Sequence, residues 1–351
     1  MSLRGVGPGV LWFVAVGCAA DSQRVAARTT AAQEPAAARL EFHPTPPVRL
    51  GQPRTVDFAG IPVSAELCVL DRGAPAMRHA SGSSDRSAIY AIAAADDGLF
   101  VLDHERKLRR YRREPGMPCR LVLDRSFGRG GLLPVMRGDG TDRRDWFDTV
   151  SVDGRGTLYV SGQHAHPRAL SGASLRDPCP RRGRLQVAED GRTAALGERI
   201  VALGADTCAD TSFWPAHWPT AVGSMLLKPL REGVFAWRFD GGANPSSLHA
   251  ADGKALWMHP PRMEGKGFGD VRDVESCNVG VCGIDGNARK IFALRGGTVV
   301  GMIDLSELLG RSPDWVVDLT FTSGAAFLAI RQDDEAKVQH AIIYELRGLV
   351  R

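Results

Sequence analysis

The stretch Trp146-Phe-Asp-Thr-Val-Ser-Val-Asp-Gly-Arg-Gly-Thr-Leu-Tyr-Val-Ser161 holds the grammar of the whole chain. Thr149 to Val152 alternates polar and apolar residues, as a half-buried strand does. Asp153-Gly-Arg-Gly156 supplies the positive φ angles of a tight turn. Thr157 to Ser161 then returns as a second strand with β-branched and aromatic content.

The same texture extends in both directions. Ser64–Leu70, Ala88–Ile92, Gly98–Asp103, Gly233–Phe239, Lys290–Leu294, Thr298–Ile303, Ala325–Ile330 and Ala341–Leu346 are further short apolar runs closed by Gly and Asp turns. Helical periodicity is confined to one turn at Leu305–Leu309, so the chain reads as all-β. A weak repeat is visible within it. Asp97-Gly98, Asp153-Gly154, Glu232-Gly233 and Ser323-Gly324 each precede an apolar strand, and Asp285-Gly286 leads toward Ile291–Leu294. We read the turn-led run as the inner strand of a β-meander whose faces are hidden only against neighbouring meanders, so that the meanders close into a ring.

On these residues the chain resembles β-propellers of the NHL, SMP-30 and YVTN type over roughly 55–350. Trp146–Ser161 is the best match, and Leu121–Gly131 is similar to the loop between NHL blades. Such blades take ~40–50 residues. The resemblance therefore implies six blades, with five or seven as alternatives, and a β-sandwich is the competing fold. The interval from Gly156 to Gly233 is longer than one blade, which predicts an insertion around 165–220. The strand at Ala341–Leu346 is expected to complete the blade begun near Thr55–Phe58 and so seal the ring.

Residues 1–18 read as an export signal. Arg4 is its only charge, Val10–Val16 is apolar, and Gly17-Cys18-Ala19-Ala20 is small. The apolar run is far below the ~20 residues that span a bilayer. Ala15-Val16-Gly17-Cys18 resembles the lipobox of bacterial lipoproteins, which usually has Leu where Ala15 stands. That resemblance implies lipidation at Cys18, and Ala19 after it is similar to lipoproteins of the outer membrane. Cleavage after Ala20 is the alternative. Residues 19–50, rich in Ala, Thr, Gln, Pro and Arg, read as a flexible tether to a domain spanning 51–351.

Without Cys18, six cysteines remain: Cys68, Cys119, Cys179, Cys208, Cys277 and Cys282. An even number in an oxidising compartment favours disulfides. Proximity in sequence suggests Cys277 with Cys282, Cys179 with Cys208, and Cys68 with Cys119. The net charge of +4 is small for 351 residues and no basic stripe interleaves with aromatics, which argues against a nucleic-acid partner. Arg106–Arg113 is the densest basic run. It reads as a solvated strand face, with contact to anionic lipid as the sharper alternative.

No phosphate-binding loop, Gly-x-Ser-x-Gly elbow or His-Glu-x-x-His motif is present in the sequence. Local candidates are few. His164 and His166, as His-x-His on an extended segment, suit a metal, although two solvated histidines are the simpler reading. Phe213, Trp214, His217 and Trp218 offer an aromatic platform for a peptide or sugar, or else cap the end of the ring. Asn244, Asn278 and Asn287 match no calcium set of lactonase-like propellers. The chain is therefore expected to be a non-enzymatic binding module that meets an envelope protein, peptide or glycan and needs no cofactor. The alternative is a propeller hydrolase or lyase acting at the central channel, with Ca²⁺ or another divalent metal. Acids converging in the channel favour the alternative, and a plugged channel favours binding.

Overall fold

In the computed structural model, residues 51–70, 78–80, 89–103, 107–114, 119–135, 147–171, 174–204, 207–211, 225–238, 246–250, 252–258, 271–286, 289–333 and 338–351 are described. The chain opens with β1 (Thr55–Phe58), β2 (Ile61–Leu67), β3 (Val69–Leu70) and β4 (Arg78–Ala80). Five antiparallel meanders follow. The first is β5 (Ile89–Ala95), β6 (Gly98–Asp103), β7 (Lys107–Glu114) and β8 (Arg120–Leu123), with β9 (Leu132–Pro134) added to β7. The second is β10 (Thr149–Val152), β11 (Leu158–Ser161), β12 (Arg168–Ser171) and β13 (Ser174–Arg176). The third is β14 (Leu185–Val187), β15 (Thr193–Leu196), β16 (Arg199–Leu203) and β17 (Cys208–Asp210). The fourth is β18 (Met225–Leu230), β19 (Gly233–Arg238), β20 (Ser246–His249) and β21 (Ala255–Met258). The fifth is β22 (Val271–Cys277), β23 (Gly280–Asp285), β24 (Lys290–Arg295) and β25 (Thr298–Asp304). A single-turn helix, α1 (Leu305–Leu309), capped by Asp304 and ended by Gly310 at φ +69°, leads to β26 (Trp315–Phe321), β27 (Ala326–Asp333) and β28 (Val338–Arg347).

These strands form a six-bladed β-propeller. The sixth sheet is shared between the two ends of the folded domain, in the order β1-β2-β28-β27-β26, with β4 also on β28. Ser64 faces Arg347 and Leu67 faces Tyr344 across the seam, as the strand near Thr55–Phe58 and the run Ala341–Leu346 predict. Ala59 (φ +56°) and Gly60 (φ +83°) turn the β1–β2 hairpin with the paired positive φ that a two-residue loop demands. The innermost strands β5, β10, β14, β18, β22 and β26 each touch the next and close a ring around a central axis.

Each blade contact has its own apolar filling. Ile92 and Leu99 meet Phe327 and Ile343, whereas Phe100 and Leu102 meet Val150 and Leu158. Tyr159 meets Leu185 and Val201, Ala195 meets Leu227, and Phe235 meets Val274 and Phe292. Phe58, Ile284 and Ile291 meet Phe321 and Leu328. Side-chain oxygens on one blade also satisfy backbone N–H groups of the next: Asp318 Oδ2 accepts from Ile92 N (2.8 Å), and Thr320 Oγ1 accepts from Ala94 N (3.0 Å). Ser161 Oγ serves Leu185 N at 2.8 Å in the same way.

All three expected disulfides form: Cys68–Cys119, Cys179–Cys208 and Cys277–Cys282. The first ties the sealing blade to the first meander, the second ties the second meander to the third, and the last staples the β22–β23 hairpin.

Three expectations change. The run after each turn is the second strand of its blade and not the innermost. It is buried between neighbouring blades on both faces, as at β6, and so carries the stronger apolar signal. The Asp285-Gly286 turn likewise joins the second and third strands, β23 and β24. The glycine leading β6, β19 and β23 answers to the third strand. A Cβ on Gly98, Gly233 or Gly280 would lie 2.1 Å from the carbonyl oxygen of Tyr111, His249 or Leu294. The stretch 165–220, expected as an insertion, contains β12, β13 and the whole third blade, whose hairpin turns at Asp190-Gly191. Short strands rich in Ala, such as Thr193–Leu196, hide that blade from a search for bulky apolar runs. The basic run is a solvated face only in part, with Arg112 and Arg113 exposed. It becomes β7, where Arg109 is buried on Asp103 (2.6 Å), Arg110 pairs with Asp97 and Arg113 with Glu345 (2.7 Å).

Candidate functional site: the axial channel

Innermost strands of a propeller face the blades with one set of side chains and the axis with the other. Their apolar pattern is therefore broken by isolated charges: Leu226-Leu-Lys228, Val271-Arg-Asp-Val-Glu275 and Trp315-Val-Val-Asp318. At mid-strand these charges meet. Lys228 Nζ donates to Asp273 Oδ1 (2.8 Å) and to Glu275 Oε1 (2.9 Å), and only 5% of its side chain is exposed. Burial works against the ammonium, but the two carboxylates outweigh it and hold Lys228 above its ordinary value. Asp273 and Asp318 hydrogen-bond to each other. Burial first, and then the charge of Asp273, raises Asp318 well above the usual carboxylate range. Both Asp318 oxygens accept from backbone N–H groups, Oδ2 from Ile92 N (2.8 Å) and Oδ1 from Leu319 N (2.9 Å). This Lys–Asp–Glu–Asp cluster forms a charged waist in the channel.

On the side where the innermost strands begin lies a cavity of about 520 Å³, to which all six blades contribute. Tyr90, Trp237 and Trp315 are its aromatic walls and Lys228, Asp273 and Asp318 its floor. Arg184 grips Asp148 with three hydrogen bonds (3.1, 3.2 and 2.6 Å) on one side. Opposite, Trp315 is 38% exposed and carries two guanidinium groups, Arg272 at 4.5 Å and Arg331 at 5.3 Å from the ring centroid. Arg331 is the cross-strand partner of Trp315, which sets that stacking.

The opposite mouth, where the innermost strands end, holds about 570 Å³. Most of its charges are matched internally, and Arg155 is exposed. Arg110 pairs with Asp97 and Asp124, Asp96 accepts from Ser323 Oγ (2.8 Å), and Arg351 reaches Glu275 (3.8 Å). Asp153 folds back on its own turn, accepting from Arg155 N (2.9 Å), Thr157 N (2.8 Å) and the Tyr159 hydroxyl (3.2 Å). The Ser323 hydrogen bonds hold Asp96 below the usual carboxylate range.

The residues singled out from the sequence lie elsewhere. Phe213, Trp214, His217 and Trp218 fall outside the described residues, as do Cys18 and the tether. His164 is exposed, and His166 accepts from Arg182 Nε at 3.2 Å. A guanidinium thus occupies the lone pair that a metal at His166 would need. Among the described residues the group with three metal-type atoms close together is Cys68, Cys119 and Glu345. Its sulfurs are already in a disulfide and Glu345 holds Arg113, so it does not suit a metal. Lys228, Asp273, Asp318, Trp315 and Arg331 were missed in the sequence. Their signal was a single charge or large aromatic inside, or at the edge of, an apolar strand.

Neither a family model nor a curated protein matches the sequence. Solved structures do. A protein of unknown function from Bacteroides thetaiotaomicron superposes with a TM-score of 0.50 at 12% identity, over 81% of this chain and 76% of that one. The WD40 β-propeller domain of Doa1 gives 0.43 at 11% identity, covering 75% and 94% of the two chains. BamB from Moraxella catarrhalis gives 0.36 at 10% identity, covering 87% and 100%. At such identities the likeness is one of fold: the chain is a β-propeller.

Proposed function

We propose that this propeller is an exported binding module of the bacterial cell envelope, anchored through a lipid on Cys18, and that its partner is met at the channel mouth bearing Trp315. The observation that carries the binding reading is the waist: Asp273, Glu275 and Asp318 are committed to Lys228, to each other and to Ile92 N, so the channel is plugged by a structural cluster. Three disulfides formed by all six cysteines after Cys18 support an oxidising compartment. The sequence of the Thr149–Ser161 hairpin supports kinship with NHL-type blades, and an acyl anchor on Cys18 would hold firmly because each buried CH₂ contributes ~0.8 kcal/mol.

Metabolic labelling with a palmitate analogue tests the anchor. Labelled protein in the membrane fraction, with the label lost in Cys18→Ala, is expected; an unlabelled protein that fractionates identically to Cys18→Ala overturns it. The second reading, a hydrolase or lyase, is favoured by the convergence of Asp273 and Asp318 beside a cavity. Turnover of a lactone or ester panel that disappears in Asp318→Asn would replace the binding reading with this one.

A further inference from the structure

The two mouths differ in one respect that points to a ligand. At the mouth where the innermost strands end, Arg110, Arg231 and Arg351 each reach a carboxylate, of Asp97, Glu232 and Glu275, and Arg155 is exposed to water. At the mouth bearing Trp315, the guanidinium of Arg331 makes no hydrogen bond or ion pair among the described residues, and its Nε is buried without a partner. Burial lowers Arg331 from its ordinary value and outweighs the opposing charges of Asp333 and Asp314, neither of which is in contact with the guanidinium among the described residues. The cavity beside it is lined by four cationic side chains, Arg184, Lys228, Arg272 and Arg331, against three acids, Asp148, Asp273 and Asp318. A cationic rim over an aromatic wall, with one guanidinium that no carboxylate contacts among the described residues, suits an anion.

We propose that this mouth binds an acidic peptide segment, with a Glu or Asp carboxylate seated on Arg331. The proposal rests on the binding-module reading and names its partner class. A guanidinium placed by the Trp315 ring, 5.3 Å from its centroid, offers a planar set of N–H donors that suits a carboxylate better than a point-charge ammonium does. A glycan is disfavoured because sugar rings stack on open aromatic faces, and the ring of Trp315 is already occupied by Arg272 and Arg331. The volume of about 520 Å³ accepts a few residues of extended chain.

The test uses the full-length chain, purified in detergent with disulfides intact. An N-acetylated, C-amidated Gly-Glu-Glu-Gly peptide, its Gln-for-Glu counterpart and inorganic phosphate are titrated by calorimetry and by tryptophan fluorescence. The Glu peptide is expected to bind at least about tenfold more tightly than the Gln peptide, as one lost charge-assisted contact implies. Its affinity should fall with added salt. Arg331→Gln should lose about tenfold, Arg331→Lys should retain part of it, and Arg231→Gln, at the other mouth, should bind as the parent does. Thermal midpoints of the variants report whether folding is intact. Equal binding of the Glu and Gln peptides, phosphate binding as tight as the Glu peptide, no binding at all, or an unaffected Arg331→Gln each overturn the proposal. None of these outcomes bears on palmitate labelling, so export and peptide capture fail separately.

Discussion

Replacing both Cys68 and Cys119 with Ala removes the bond between the blade that seals the ring and the first meander. The worth of that bond follows from the chain it closes. A cross-link over a separation of 51 residues restricts the unfolded ensemble by about 4 kcal/mol, whereas one over 5 residues restricts it by about 2 kcal/mol. The folded state changes little in either case. Around the first bond, Cys68 N still donates to Ile343 O (2.9 Å) and Val69 N to Cys119 O (2.8 Å), so the local backbone is held without the sulfurs. The lost sulfur volume is comparable, since Cys68, Cys119, Cys277 and Cys282 are all buried. Comparing Cys68→Ala/Cys119→Ala with Cys277→Ala/Cys282→Ala therefore isolates loop length, and the first pair should cost about 2 kcal/mol more. Guanidinium unfolding followed by tryptophan fluorescence and far-UV circular dichroism measures both, provided the two probes coincide. Equal costs, or a costlier Cys277–Cys282 pair, would refute the reasoning and place the worth of the long-range bond in the β2–β28 seam.

Lys228→Met leaves Asp273 and Glu275 buried without their cation and should destabilise by about 3–5 kcal/mol in the same assay. Asp318→Asn keeps an oxygen for Ile92 N, loses the acceptor of Leu319 N, and should remove a pH dependence. Asp273 and Asp318 titrate higher folded than unfolded, so the folded chain binds more protons above the ordinary carboxylate value. The stability they contribute is complete below that value and is lost as pH rises through their folded values. Thermal midpoints taken between about pH 4 and about pH 7 should therefore favour acid more strongly in the parent than in Asp318→Asn. Gly280→Ala puts a Cβ 2.1 Å from Leu294 O at φ +124° and should cost at least about 3 kcal/mol or abolish soluble expression.

The fold was legible because second strands advertise themselves. Gly98-Leu-Phe-Val-Leu and Gly233-Val-Phe-Ala-Trp are buried on both faces, and the glycine that opens each is forced by the third strand. The third blade escaped notice because Thr193-Ala-Ala-Leu196 fills its share of the core with methyl groups, which leave no bulky run in the sequence. Disulfide pairing was legible from proximity because a propeller keeps sequence neighbours adjacent in space. The channel was not legible. Lys228, Asp273 and Asp318 are separated by some forty-five residues each in the chain and become neighbours only when the ring closes.

The waist also constrains what the channel can be. A pore needs a continuous polar path, but here Lys228 is held from β22 at mid-channel and Glu275 continues to Arg351 on the far side. Opening that path would expose at least one unpaired charge to the low-dielectric interior of the ring, a loss of several kcal/mol. The same cluster joins β18, β22 and β26, so it locks three of the six blades from the axis while the apolar clusters lock them from the faces. A rigid floor of this kind suits recognition, because a ligand entering beside Trp315 meets side chains already fixed in place and orders few of them. The charge that the waist has matched is structural. The charge on Arg331, which no carboxylate contacts among the described residues, is where a partner gains most.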